Sequence, residues 1–262
     1  MNKIGIIGGG NMGEAILSGS LKRFFILINE KDAARQEYLY KKYHLKSQRL
    51  AEIAKVSDVI ILAVKPQDID TVLGELSTVL KKETLVISIA AGVTTNFIEK
   101  ALGKNPRVVR TMPNLPATIG EGVTALCPGR FAKTTDMDLA RKIFSNVGDV
   151  VTVSENQIDA ITAVSGSGPA YVFFFMECLM KSAKALGLEE KLARQLVEKT
   201  FLGSVHLLLK QKMDARDLRA KVTSKGGTTQ AALEVFFKQN VEKIFTNALK
   251  AAKKRASKLS RS

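Results

Sequence analysis

The sequence predicts an α/β domain built on a doubly wound parallel sheet, residues 1–154, followed by an all-α domain, residues 155–262. Three observations predict it. Short runs rich in Val, Ile and Leu alternate with helical patterns through the first 150 residues. A glycine turn follows the first of these runs. After about residue 155 the β signal fades while helical periodicity continues. Apolar strands separated by helices are the pattern of a sheet covered on both faces.

Taken in order, residues 3–7 (Lys-Ile-Gly-Ile-Ile) read as a buried strand and 11–21 as a helix. Residues 24–28 are a second strand and 31–43 a charged amphipathic helix. Continuous apolar strands follow at 58–64 and 85–89, with a shorter candidate at 108–110. In the second half, 159–164, 170–186, 190–211 and 227–257 read as helices, with Gly187 as a stop. A helical domain apolar on several faces is expected to bury some of that surface in a partner subunit.

With 262 residues and 45% hydrophobic content, the chain is not globally disordered. Its longest apolar stretch, 168–176, ends at Glu177. That is short of the roughly 20 residues of a spanning helix, so no membrane partner is expected. The glycine-rich N-terminal stretch does not read as a signal peptide. Cys127 and Cys178 lie 51 residues apart, without a CxxC or zinc spacing. Free thiols, a cytoplasmic location and no metal site are the expectation. The unusual number is the charge: 40 Lys+Arg against 25 Asp+Glu, formally +15. By itself it suggests a nucleic-acid or anionic-surface partner.

Gly8-Gly9-Gly10-Asn11-Met12-Gly13, directly after Ile7, fits GxGxxG between a strand and a helix. The first glycine permits the tight turn, the second lets a pyrophosphate approach the backbone, and the third allows close helix–strand packing. This is the mark of a Rossmann-type dinucleotide site. Glu30 ends the second strand 17 residues after Gly13. An acidic residue there accepts ribose hydroxyls and repels a 2′-phosphate, which leans towards NADH. Lys31 and Arg35 are placed to embrace a phosphate, so the choice between NADH and NADPH stays open.

Three further motifs fall at predicted strand ends: Ala63-Val64-Lys65-Pro66-Gln67, Ser88-Ile89-Ala90-Ala91-Gly92 and Arg110-Thr111-Met112-Pro113-Asn114. An open α/β sheet binds its ligand at these ends. Ile89, Ala90, Ala91, Met112, Pro113 and Asn114 therefore join the glycine turn as candidate cofactor contacts. Two more motifs lie in the helical half: Ser165-Gly166-Ser167-Gly168-Pro169-Ala170-Tyr171 and Val222-Thr223-Ser224-Lys225-Gly226-Gly227-Thr228-Thr229. With the N-terminal set, they make the chain resemble the pyrroline-5-carboxylate reductase family from Gly5 to about Leu249.

The resemblance implies a Rossmann domain joined to a helical dimerisation domain, assembled as a homodimer or higher homo-oligomer. It implies reduction of the cyclic imine of 1-pyrroline-5-carboxylate to L-proline with NAD(P)H, the last step of proline biosynthesis. Ser224, Gly226, Gly227 and Thr228 would hold the substrate carboxylate, because a glycine loop opening a helix offers free backbone N–H groups and a favourable dipole. By match to the family's motif, Thr229 supplies a hydroxyl near the ring nitrogen. It has no useful pKa near neutrality and is expected to orient and relay. Glu155 aligns with a family glutamate close to the substrate, where a carboxylate would favour the cationic iminium. The sequence departs from the family at Glu30, at Leu50, where an Asn often touches the cofactor, and at Lys221, where Asn or Gln is common.

Two rival readings remain at this stage. A hydroxyacid dehydrogenase of the same architecture would use a lysine as acid and base, for which Lys181 and Lys184 lie on suitable helices. A nucleic-acid or anionic-surface binder would use the tail, where Lys250, Lys253, Lys254, Arg255, Lys258 and Arg261 meet no acidic residue. The charges are equally those of a solvated helix end. The Tyr38-x-x-x-Lys42 match comes too early for a short-chain dehydrogenase pair. His206 reads as a core or interface residue, and Phe173-Phe174-Phe175-Met176 as core or dimer packing. Ser165 to Gly168 lacks the spacing of a nucleophile elbow.

Overall fold

The computed structural model describes residues 2–260, and the chain forms two compact units. One comprises the chain up to Pro169 together with the segment from Ala251 onward; the other is Ala170–Lys250. The first unit runs β1 (Lys3–Ile7), α1 (Asn11–Ser20), β2 (Phe25–Asn29), α2 (Ala33–Tyr43), α3 (Leu50–Val56), β3 (Val59–Leu62), α4 (Ile69–Val79), β4 (Leu85–Ser88), α5 (Thr95–Leu102), β5 (Arg107–Met112), β6 (Gly122–Pro128), α6 (Thr134–Phe144), β7 (Gly148–Thr152) and α7 (Ile158–Ile161). Then follow α8 (Gly168–Ala185), α9 (Glu190–Gln211), α10 (Ala215–Lys221), α11 (Thr228–Lys238) and α12 (Val241–Leu259).

The strands lie in the order β2-β1-β3-β4-β5-β6-β7, parallel except where β6 runs against β5. Burial on both faces explains the apolar runs. On one face Ile4, Ile6, Ile61 and Ile87 pack with Ile16 and Leu17 of α1 and Phe144 of α6. On the other, Ile60, Leu62 and Val86 pack with Ile53, Leu73 and Ile98 of α3, α4 and α5. Neither face is left to solvent, so no alternation of polar residues is needed.

Register then builds the site. Ile7 pairs with Leu62, Leu62 with Ser88, and Ser88 with Arg110. Four parallel strands thus end abreast, and the segments after them leave from one edge.

Several elements depart from the sequence expectation. Strands β6 and β7 were not anticipated: β6 carries Gly122, Thr124 and a terminal Pro128, and β7 is a largely exposed edge without an apolar run. The helix expected over 227–257 is two helices, α11 and α12, broken where Asn240 takes a left-handed φ of 56°, a conformation asparagine tolerates. The expected helix at 159–164 is a short α turn continued by a π turn over Thr162–Gly166. Gly187 does end its helix, with φ 91°. The helical run Glu155–Ala185, 31 residues, is long and apolar enough to cross a membrane. The apolar stretch 168–176 is part of this longer helix, whose interspersed small and polar residues leave its average character apolar by length and composition.

The helical unit has almost no core of its own. None of the residues of α8, α10 or α11 is buried, and α9 buries only Ala193 and Val197. Phe173, Phe174, Phe236 and Phe237 are each more than half exposed. A groove of about 670 Å³ is lined by Phe175, Leu233, Phe236, Phe237 and Phe245. Such an apolar surface calls for a covering partner. His206 is exposed on α9, so the core alternative for it is set aside.

Candidate active site

The glycine turn is shaped by sterics that only glycine satisfies. Gly8 has φ 103°, and a Cβ there would stand 2.5 Å from the Ala63 carbonyl oxygen. A Cβ on Gly13 would stand 2.2 Å from the Gly8 oxygen, so α1 can approach β1 only without a side chain. Gly10 is the opposite case: nothing lies within 4 Å of its would-be Cβ, and as N-cap of α1 it provides no side-chain cap. The first N–H groups of a helix have no intrahelical partner. An open cradle over an uncapped N-terminus suits a pyrophosphate.

Beside this turn a cleft of about 650 Å³ is lined by Ile7, Gly8, Gly10, Glu30, Ala63, Val64 and Lys65 among others. Seven of the seventeen expected cofactor residues line it. Gly9, Asn11, Met12, Pro66, Ile89, Ala90, Ala91, Met112, Pro113 and Asn114 flank the same sheet edge without lining this cleft. Asn114 is engaged: its Oδ1 accepts the Val123 N–H at 2.9 Å. Leu50 is buried in the core and forms part of the cleft wall.

Glu30, Glu14 and Glu155 are each occupied by protein donors. Glu30 accepts the Gly9 N–H at 2.6 Å and the Asp32 N–H at 2.9 Å, so it steadies the glycine turn. Arg35 donates through Nε to the Gly9 carbonyl at 2.5 Å and pairs with Glu14. Glu14 also accepts from Lys42, Tyr43 and Tyr38. Burial works to raise its pKa, but the bonds from Lys42, Tyr43, Arg35 and Tyr38 outweigh it and hold the carboxyl at about 2. Tyr38 and Lys42 are bonded to each other at 2.9 Å. They form a latch between α1 and α2, consistent with setting aside the dehydrogenase match.

Glu155 is tied into a second network. It accepts the Thr95 N–H at 2.9 Å, the Thr95 hydroxyl at 2.5 Å and Arg110 at 3.0 Å. Arg110 is buried, its side chain only 4% exposed. Next to it, burial pushes the Cys127 thiol up to about 11, the Glu155 charge adding to the shift and Arg110 opposing it. Arg110 belongs to the motif at 110–114, and its role emerges only from the fold. Its signal was a charge in the otherwise apolar run Val108-Val109-Arg110.

In the helical unit, Gly226 has φ 73° and donates its N–H to Gln230 Oε1 at 2.7 Å; Gly227 donates to the Ser224 carbonyl at 3.0 Å. Gly227 caps α11 without a side chain, leaving Thr228 and Thr229 in its first turn. Thr229 is half-buried, and Ser224, Gly226 and Thr228 are exposed. The Gly226 and Gly227 N–H groups, expected free, are thus engaged within the loop, and what α11 offers an anion is its first turn, with no side-chain cap at Gly227. Lys221 is exposed, with Nζ against the Met213 sulfur. Lys181 and Lys184 are exposed and paired with Glu177 and Glu190, a poor setting for the acid/base lysine of a hydroxyacid dehydrogenase.

Comparison with known proteins agrees with this geometry. A family profile described as pyrroline-5-carboxylate reductase dimerisation matches residues 155–259, and one described as NADP oxidoreductase coenzyme F420-dependent matches residues 3–92. A pyrroline-5-carboxylate reductase of Synechocystis is 40% identical, with 98% of each chain covered. One from Methanosarcina acetivorans is 39% identical over 98% of this chain and 97% of its own. Among solved structures, the Coxiella burnetii enzyme superposes with a TM-score of 0.92 at 40% identity, covering 100% of this chain and 99% of its own. The Plasmodium falciparum enzyme with NADP bound gives 0.88 at 29%, covering 99% and 98%.

Proposed function

The chain belongs to the pyrroline-5-carboxylate reductase family, and from that premise we propose which of its residues carry the reaction. It is an NAD(P)H-dependent oxidoreductase of proline biosynthesis that reduces the C=N bond of 1-pyrroline-5-carboxylate to give L-proline. One observation carries the assignment of residues: α1 and α11 each open on a glycine that provides no side-chain cap. The first takes the cofactor pyrophosphate, with Gly8, Gly9, Gly10, Asn11 and Met12 as its cradle. The second takes the substrate carboxylate, on Ser224, Gly226, Gly227 and Thr228.

When held on the turn at residues 8–12, NAD(P)H would supply the hydride that reduces the imine carbon, and the ring nitrogen would take its proton from solvent. Thr229, in the first turn of α11, holds that nitrogen through its hydroxyl and orients the imine. Glu155 serves as a positioning residue: it fixes Arg110 and the start of α5. We put the functional division at 154/155, a reading supported by the start of the dimerisation profile at residue 155 and distinct from the compact units, which divide after Pro169. A second copy covers the apolar face of the helical unit. Neither nucleic acid nor membrane is a partner, and the enzyme works in the cytoplasm, where its free cysteines would stay reduced.

The experiment is oxidation of NADH and of NADPH with pyrroline-5-carboxylate, 2-keto acids and semialdehyde acids in parallel. Turnover with the cyclic imine alone is expected. Turnover with a 2-keto acid and not the imine would return the hydroxyacid dehydrogenase reading.

A further inference from the structure

The cofactor cleft runs against the charge of the chain. Four carboxylates line it (Glu30, Asp32, Asp68 and Glu75) against three cations (Lys31, Arg35 and Lys65). Two of those cations follow β2, where a ribose 2′-phosphate would arrive, and both are already held. Lys31 Nζ donates to Asp68 Oδ1 at 2.8 Å. Arg35 is divided between Glu14 and the Gly9 carbonyl.

We propose that Glu14 and Asp68 set cofactor choice by withholding Arg35 and Lys31 from a 2′-phosphate, so that the cleft takes NADH in preference to NADPH. The inference rests on reading this cleft as the dinucleotide site. To recruit Arg35, a phosphate must strip the guanidinium from a carboxylate and from the glycine turn, beside the charges of Glu30 and Asp32. A ribose hydroxyl meets no such obstacle. Each Glu30 oxygen accepts one backbone N–H and keeps a further lone pair for an O–H donor.

The two pairs differ in weight. The Lys31 and Asp68 side chains are 78% and 31% exposed, those of Arg35 and Glu14 only 23% and 14%. Exposed pairs contribute little, so Glu14 is the stronger determinant. It acts through Arg35, as a positioning residue.

The test is equilibrium binding of NADH and NADPH to the full chain, followed by nicotinamide fluorescence without pyrroline substrate. Wild type is expected to bind NADH the more tightly. Glu14→Gln is expected to lower the NADPH-to-NADH Kd ratio by roughly tenfold, and Asp68→Asn by about two- to threefold. Circular dichroism establishes that Glu14→Gln is folded, and the surface variant Asp68→Asn gives a second reading if it is not. Tighter NADPH binding by wild type, or ratios unmoved in the folded variants, would overturn the proposal and leave the cleft assignment intact. Failure of both dinucleotides to bind would overturn the cleft assignment and the proposal with it.

Discussion

Replacing Glu155 by Ala separates a positioning carboxylate from one that acts on substrate. The substitution removes three accepted hydrogen bonds, two from Thr95 and one from Arg110. Among the described residues Glu155 is the only ion-pair partner of Arg110, whose side chain is 4% exposed. Stripping one partner from a fully buried pair costs about 3–5 kcal/mol. The Glu155 side chain is 32% exposed, so water can reach the vacated space, and about 2–3 kcal/mol is the expected loss. At about 2–4 °C per kcal/mol for a unit of this size, the melting temperature should fall by roughly 4–12 °C. A second readout is the Cys127 thiol: without the Glu155 charge and with Arg110 unopposed, its pKa should fall from about 11, visible as thiolate absorbance against pH. Glu155→Gln should recover part of the stability. A melting temperature within 1 °C of wild type, together with collapsed turnover, would refute the reasoning and place the carboxylate on the substrate.

The helix opening at Thr229 gives a sharper kinetic test: Thr229→Ala should lower kcat by at least about tenfold with NADH affinity nearly unchanged, and Thr229→Ser should restore most of it. Unchanged turnover would remove Thr229 from the mechanism. Gly13→Ala should cost about 1–3 kcal/mol by overpacking and weaken NADH binding, because its Cβ meets the Gly8 oxygen at 2.2 Å; urea unfolding and fluorescence titration read the two effects. For Glu14, the folded pKa of about 2 lies below the ordinary 4.5, so its stabilisation is full above pH 4.5 and lost as pH falls towards 2. Urea unfolding of Glu14→Gln should therefore show a deficit of about 2 kcal/mol at pH 7 that closes in acid. Glu30→Ser should shift binding towards NADPH while weakening NADH, since the Gly9 N–H loses its acceptor; an unmoved cofactor ratio would show that the strand end does not read the ribose.

What was legible in the sequence follows from how each signal is encoded. β1, β3 and β4 are buried on both faces and announce themselves as apolar runs, as in Val59-Ile60-Ile61-Leu62. β7, exposed at the sheet edge, has no such run to show. The glycine turn was legible because sterics leave no alternative at Gly8 and Gly13. The uses of Glu30 and Glu155 were not, because their partners lie 21 and 60 residues away in the chain and only folding brings them within reach. Glu14 and Asp68 gave no local signal at all. Each is an ordinary helical acid until α2, or the segment before it, supplies a cation.

The same distinction bears on the charge of +15. Its most conspicuous concentration, the tail, is the end of α12, where Ala256 is buried and Ser257 donates to Asp159 at 2.7 Å. Lys253, Lys254, Arg255 and Lys258 face solvent on that helix, while Arg261 lies outside the described residues. Cations at a helix C-terminus complement its dipole, as the solvated-helix-end reading has it. At physiological ionic strength, exposed charges are screened beyond about 8 Å. The surplus therefore gives anionic substrate and cofactor at most mild steering and cannot distinguish NADH from NADPH. That choice belongs to contacts of hydrogen-bond length, and at that range the cleft carries more carboxylates than cations.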